Sequence, residues 1–302
     1  VSRLASAPGR VNLLGEHVDH QGGVVLPVAI HLRTTVRYTP GEAWELHSEG
    51  HEEGGAWERY ARAVVEVLGE GPEPPRPGRL EIASTLPEAA GLGSSAALEV
   101  AIGGALAEEM PSLELARLCR RAENEKVGVP CGLMDQVAAA CAIAGHVIVL
   151  DCADETFFHV PLPEAELLLF DTGDRRELSG TPYADRVAEA RTPGSAAARH
   201  VEGERARVER AVGCLERGDA EGLGALMYQC HASLRDLYRC SFPAADDLVA
   251  RLRETPGVLG ARLAGAGWGG SVLALVEPGV RLEGALLLLS DDGLSVRSTG
   301  SD

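Results

Sequence analysis

Between Pro8 and Gly23 the chain reads Pro-Gly-Arg-Val-Asn-Leu-Leu-Gly-Glu-His-Val-Asp-His-Gln-Gly-Gly, setting one arginine, two carboxylates and two histidines in a segment punctuated by glycine. These side chains offer forked donors, anionic acceptors and ring nitrogens together, a set that suits a polyhydroxylated ligand better than a core. A second stretch runs from Leu86 to Ala97 as Leu-Pro-Glu-Ala-Ala-Gly-Leu-Gly-Ser-Ser-Ala-Ala and leads into a helical pattern. Gly91 and Gly93 let backbone approach a phosphate closely. The amides of Ser94, Ser95 and Ala96 stand at the positive end of a helix dipole, and the serine hydroxyls can bond phosphate oxygens or a metal. Taken alone, this stretch reads equally well as a connector ending in a serine N-cap.

A third segment joins Glu123-Asn124-Glu125 to Pro130-Cys131-Gly132-Leu133-Met134-Asp135-Gln136. Asp135 falls in the first turn of an expected helix, where the dipole favours its anion and the carboxylate can take a proton from a substrate hydroxyl. An isolated aspartate there is more often a cap. Gly265 to Gly270 satisfies Gly-x-Gly-x-x-Gly but lies between two strand-like runs, so a dinucleotide-binding reading fails on context. Trp57 and Tyr60, an aromatic pair at helical spacing, could stack on a flat ligand or fill a core.

Composition narrows the classes. A net charge of −17 argues against nucleic-acid backbone binding, which needs clustered cations. Lys126 is the only lysine and no Walker glycine pattern precedes it, which excludes P-loop phosphate binding. The seven cysteines include no Cys-x-x-Cys pair and no zinc spacing, as expected of free thiols in a reducing compartment. No apolar run has membrane-spanning length, and the first residues lack a basic region followed by an apolar one, so the expectation is a cytoplasmic chain without a membrane partner.

These segments need elements to hold them. Leu4 to Ala7, Arg10 to Gly15, Val24 to Val28, Thr34 to Tyr38 and Arg79 to Ser84 read as short strands. Trp57 to Leu68, Ser95 to Glu108, Ser112 (as N-cap) to about Glu125, and Gly132 to Ala144 read as helices, with a strand over His146 to Asp151. After Leu167 to Asp171 come several helices, then strands on either side of Gly265 to Gly270. Arg191 to Ala198 reads as a small-residue loop. Strands and helices that do not strictly alternate over 302 residues predict an α+β fold in two parts, residues 1–163 and 164–302.

In their order and residue types the three segments resemble the galactokinases, the sugar 1-kinases of the GHMP superfamily. The match departs at Ala89, where galactokinases usually have glycine, and at Gly93, where they have serine. The resemblance implies a ribosomal-S5-like N-terminal half, a ferredoxin-like C-terminal half and a site between them. It further implies phosphoryl transfer from MgATP to the C1 hydroxyl of galactose. Asp135 would accept the hydroxyl proton, and Arg10 would keep that carboxylate charged and steady the transferring group. Glu16, His17, Asp19, Gly132 and Tyr183 would hold the sugar; Trp57, Tyr60, Gly91, Gly93, Ser94, Ser95 and Ala96 the nucleotide; Ser95 and Glu123 the Mg²⁺. The segment His231 to Tyr238 matches the family too, with a structural role expected. Galactose and ATP are the expected partners of a monomer. A galacturonate 1-kinase, suggested by Asp19 to Gly23, and a non-catalytic galactose sensor are the rivals.

Overall fold

The first strand, β1 (Ser2–Asn12), merges the two short strands expected there, because a register shift between Pro8 and Arg10 bends one continuous strand. Bulges of this kind re-aim side chains, and here the next residue is Arg10. The computed structural model describes residues 1–52, 54–87, 90–107, 109–174 and 182–299. Glu88 and Ala89 of the phosphate-loop segment, and Gly180 and Thr181 before Tyr183, lie outside them.

A short β2 (Val24–Val25) is followed by β3 (Pro27–Pro40), which absorbs the expected Thr34 to Tyr38 strand. Next come β4 (Glu45–Ser48), α1 (Ala56–Gly69), β5 (Gly78–Ser84), α2 (Ser94–Leu106), α3 (Ser112–Arg121), α4 (Met134–Cys141), β6 (His146–Asp151) and β7 (Thr156–Pro161). The second half contains β8 (Glu166–Asp171), α5 (Tyr183–Glu189), α6 (Ala196–Arg217), α7 (Ala220–Ser233), α8 (Pro243–Arg253), β9 (Val258–Ala264), β10 (Ser271–Val276), β11 (Ala285–Leu288) and β12 (Ser295–Thr299).

The described residues form three sheets, in the orders β12-β1-β3-β5-β4, β2-β6-β7 and β11-β8-β10-β9. All pairs are antiparallel except β4 with β5. The last sheet has the 4-1-3-2 order of a ferredoxin-like fold, although residues 277–284 join β10 to β11 without a helix. β12 returns to the first sheet beside β1, so both ends of the chain build that sheet.

Helix α2 is apolar almost all round and packs on β1 and β3 while touching α1, α3 and α4, which makes it the central helix of the first half. Two expectations about helix ends are corrected. Pro111, not Ser112, occupies the N-cap of α3, and the helix does not continue as α to Glu125 but widens into a π-helical turn over Ala122–Val127, closed by Gly128. The expected loop at Arg191 to Ala198 already belongs in part to α6, because the Ser195 hydroxyl caps the Ala198 amide at 3.0 Å and alanines follow it.

Candidate active site

Arg10 leaves the bulge of β1 pointing at the first turn of α4, where its Nε and Nη2 meet the two oxygens of Asp135 at 2.7 and 2.5 Å. This forked pair fixes both side chains in plane and is among the stronger hydrogen-bond geometries. Each Asp135 oxygen keeps lone-pair capacity for a further donor. The remaining guanidinium nitrogen, Nη1, donates to the Gly91 carbonyl at 2.5 Å, which ties the pair to the phosphate-loop segment.

That segment turns into α2 through Gly93, the helix N-cap, at φ 72°. A side chain there would be strained by the left-handed backbone and would crowd Arg10, whose Cγ lies 3.3 Å from a Cβ built at that position. As the N-cap, Gly93 has no side chain to offer the first amides of α2, at Ser94, Ser95 and Ala96. Gly265, in the hairpin between β9 and β10, faces Gly91 backbone to backbone, so the second glycine loop closes over the first.

Behind the loop the Ser95 hydroxyl stands beside Glu123 and favours its anion, while the π-helical turn presents Glu123 from the other side. The Gln136 amide donates to Glu123 at 2.8 Å and to Glu99 at 3.3 Å, and the Cys131 thiol donates to Glu123 at 3.2 Å. Burial, followed by the Glu123 charge, pushes the Glu99 carboxyl up to about 9; burial likewise raises Glu123. Tyr60 stands beside these carboxyls, and burial and then their charge raise its hydroxyl pKa. Trp57 donates its indole N–H to the Glu52 carbonyl. Neither aromatic lines the cleft described next.

The cleft has a volume of about 480 Å³, within the range of small-molecule sites, and is bordered by Arg10, Glu16, His17, Asp19, Gly91, Gly132, Asp135, Tyr183 and Gly265. Gly132 is required by proximity, since a Cβ there would meet Asp19 Oδ2 at 2.6 Å. His17, at φ 60°, stacks on Tyr238 with centroids 4.0 Å apart and planes 12° from parallel. Tyr183 and Trp268 approach the same imidazole at 6.0 and 6.4 Å. Tyr238 is delivered by a second π-helical turn, Leu234–Tyr238, and is fully buried behind His17, so this segment supports the imidazole from outside the cleft.

The second half of the chain also holds the sugar segment from beneath. Arg262 on β9 is wholly buried and donates to Glu16 Oε1 at 2.6 Å, to the carbonyls of Leu13 and Leu263 at 2.8 and 2.9 Å, and to the Asn12 carbonyl. Glu204 on α6 accepts the Gly15 amide at 2.8 Å and Arg207 at 2.6 Å. His200 Nε2 lies 3.1 Å from the Glu16 carbonyl and Nδ1 2.8 Å from Ser233 Oγ. A carbonyl only accepts, so Nε2 carries the proton and Ser233 donates to Nδ1. Sequence reasoning missed Arg262, Glu204, His200 and Glu99; it quoted Gln136 without giving it a role and gave the segment of Tyr238 a structural one. A charged residue inside an otherwise apolar run, as at Glu99 and Arg262, was the available signal.

The GHMP kinases N terminal domain family matches residues 59–142, the galactokinase galactose-binding signature residues 2–40, and the GHMP kinases C terminal family residues 211–301. A galactokinase of Thermococcus kodakarensis is 38% identical over 90% of this chain and 89% of its own length. One from Thermotoga maritima is 36% identical over the same shares. The structure of Lactococcus lactis galactokinase complexed with galactose superposes with a TM-score of 0.88 at 27% identity, covering 97% of this chain and 95% of that one. Methanococcus jannaschii mevalonate kinase, at 20% identity and TM-score 0.75, shares the fold.

Proposed function

This chain belongs to the galactokinases of the GHMP kinase family, and from that premise we propose how its own residues transfer a phosphoryl group from ATP to the C1 hydroxyl of galactose. The reading rests on one observation above the others: the Arg10–Asp135 fork opens on the cleft and reaches the phosphate-loop backbone at Gly91.

In this scheme Asp135 accepts the C1 hydroxyl proton as the oxygen attacks, and Arg10 supplies the counter-charge that holds the carboxylate in line and steadies charge spreading onto the phosphoryl oxygens. Glu16, His17 and Asp19 orient the sugar hydroxyls, with Gly132 leaving room for Asp19 and Tyr183 closing the rim. The amides of Ser94, Ser95 and Ala96, with Gly91 and Gly93, receive the phosphates, and Trp57 and Tyr60 flank the nucleotide base. Ser95 and Glu123 offer two hard oxygen donors in contact, a set that fits a Mg²⁺ ion completing its shell with phosphate and water. Bound there, the ion would neutralise charge between the outer phosphates.

We assign residues 1–163 and 164–302 to the two domains, with β12 crossing back to the first. One chain supplies every residue of the scheme, which supports a monomer as the working unit. Seven unpaired cysteines and ATP as co-substrate fit the cytoplasm.

The deciding measurement is a coupled ATPase assay over a panel of hexoses and uronates, with the product tested for a reducing end. Galactose-dependent turnover giving a non-reducing phosphate is expected. A product that still reduces would place the phosphate away from C1 and overturn the scheme.

A further inference from the structure

Glu99 has no part in the scheme above, yet it is buried without any exposed surface in the middle of α2, where Ala96 to Leu106 is otherwise apolar. A carboxyl in such a place costs free energy that an apolar side chain of similar size would not. It lies one helical turn beyond Ser95, so both side chains face the same way, toward the π-helical turn that carries Glu123.

The link between Glu99 and Glu123 is one amide group. The Gln136 amide nitrogen donates to both, at 2.8 Å to Glu123 Oε2 and 3.3 Å to Glu99 Oε2, with Cys131 Sγ as a longer third acceptor at 3.8 Å. Gln136 is itself fully buried and follows Asp135 directly, so one turn of α4 carries both the cleft carboxylate and the clamp. On the far side, Glu99 Oε1 and Gln136 Oε1 are buried and have no hydrogen-bond partner among the described residues.

We propose that Glu99 is a positioning residue for the metal-binding carboxylate, acting through Gln136 to hold Glu123 against Ser95. The inference rests on the assignment of Ser95 and Glu123 as metal donors. With Glu99 in place the amide is pinned at both hydrogens and its plane cannot turn. Without it, one hydrogen loses its oxygen acceptor and keeps only the distant Cys131 sulfur, so Gln136 can rotate and loosen its hold on Glu123. Partners that orient a ligand from behind typically change metal affinity about 10- to 100-fold.

The probe is a non-transferable ATP analogue with an imido bridge, whose affinity for the full chain is measured by calorimetry with Mn²⁺ and again with chelator. The ratio of the two affinities isolates what the metal contributes, and general damage to the fold lowers both without moving the ratio. Glu99→Leu and Gln136→Met should each lower the ratio about tenfold, whereas Glu99→Gln, which keeps an acceptor for Gln136, should restore it. If Glu99→Leu does not fold, Gln136→Met decides alone, since it breaks the same bridge. An unchanged ratio in these variants beside a fallen ratio in Glu123→Gln overturns the role of Glu99 and leaves the metal assignment standing. An unchanged ratio in Glu123→Gln overturns both.

Discussion

Arg262 Nη2 lies 2.6 Å from Glu16 Oε1, and the guanidinium has no exposed surface. The two residues come from opposite ends of the chain, Glu16 from the segment after β1 and Arg262 from the strand before the second glycine loop. One oxygen of Glu16 is thereby committed to Arg262 and Asn12. No bond to the other is found among the described residues, and it borders the cleft. The pair also means that the sugar segment and the glycine hairpin are anchored to one another through a single buried cation.

Removing that cation should cost more than removing the pair. Arg262→Met leaves a buried carboxylate without its partner, a change typically worth about 3 to 5 kcal/mol of stability. Glu16→Gln/Arg262→Met carries no unpaired charge and should recover a substantial part of the loss. Urea unfolding of both variants checks this. A double variant no more stable than Arg262→Met would show that Arg262 acts through the Asn12, Leu13 and Leu263 carbonyls instead.

Asp135→Asn should keep the shape of the fork and one acceptor for Arg10 while losing the base. General-base assistance contributes about 10² to 10⁴ in rate. Single-turnover phosphorylation should slow by that much, with galactose affinity by calorimetry held within about threefold. Near-normal turnover would take the proton-accepting role from Asp135.

Tyr238 offers a milder test, of the packing that holds His17 at the cleft. Stacked aromatic pairs add about 0.5 to 1.5 kcal/mol beyond burial, and about 1.4 kcal/mol is a factor of ten. Tyr238→Leu should therefore raise the galactose KM roughly three- to tenfold through a displaced His17, and Tyr238→Phe should leave it close to normal. Equal KM values in the two variants would mean that the ring does not hold the imidazole.

What could be read in advance follows a physical line. Arg10, Glu16 and Asp135 stand in local patterns whose residue types already suggest the chemistry, and their placement depends on nearby glycines and a helix start. Arg262 and Glu204 do their work on Glu16 and Gly15, 246 and 189 residues away, and nothing local to either marks such a partner. The π-helical turns were invisible for a related reason. Their sequences continue a helical period, and the widening that aims Glu123 and Tyr238 is set by packing. β4, β11 and β12 are short strands of four or five residues at or beside sheet edges, where alternation is too brief to register.

His200 carries a pH dependence whose sign follows from its burial. Burial pushes its imidazole down against the opposing pull of Glu204. Unfolded, it titrates near 6.5. The stability it adds is therefore whole above about pH 6.5 and is lost as pH falls from there toward the lowered folded value. The melting temperature should drop more steeply between pH 7 and 5 in the natural chain than in His200→Gln, whose amide can still donate to the Glu16 carbonyl. His231, pushed down to about 4, titrates in both proteins and cancels in the comparison. Identical slopes would remove His200 as the source.

On the proposed assignment of Glu16 to the sugar, the choice between galactose and galacturonate turns on the Glu16 oxygen that Arg262 does not engage. A 6-hydroxyl can donate to it, whereas a C6 carboxylate has no proton to give and sets a second anion against the first. Arg262 is badly placed to relieve the clash, because Nη2, its nitrogen at Glu16, has both hydrogens spent on Glu16 and the Asn12 carbonyl, while Nε and Nη1 donate to the carbonyls of Leu13 and Leu263. Like-charge contact across a desolvated site costs several kcal/mol, and about 2.7 kcal/mol is already a hundredfold. Galactose should thus exceed galacturonate by at least about a hundredfold in kcat/KM. The informative variant is Glu16→Gln rather than Glu16→Ala, since Gln keeps an oxygen for Arg262 and can turn an N–H toward the uronate. It should narrow the ratio from both sides, lowering kcat/KM for galactose and raising it for galacturonate. Equal or faster turnover of galacturonate by the natural chain would reverse the substrate assignment, and a ratio unmoved in Glu16→Gln would show that discrimination at C6 resides in another wall of the cleft.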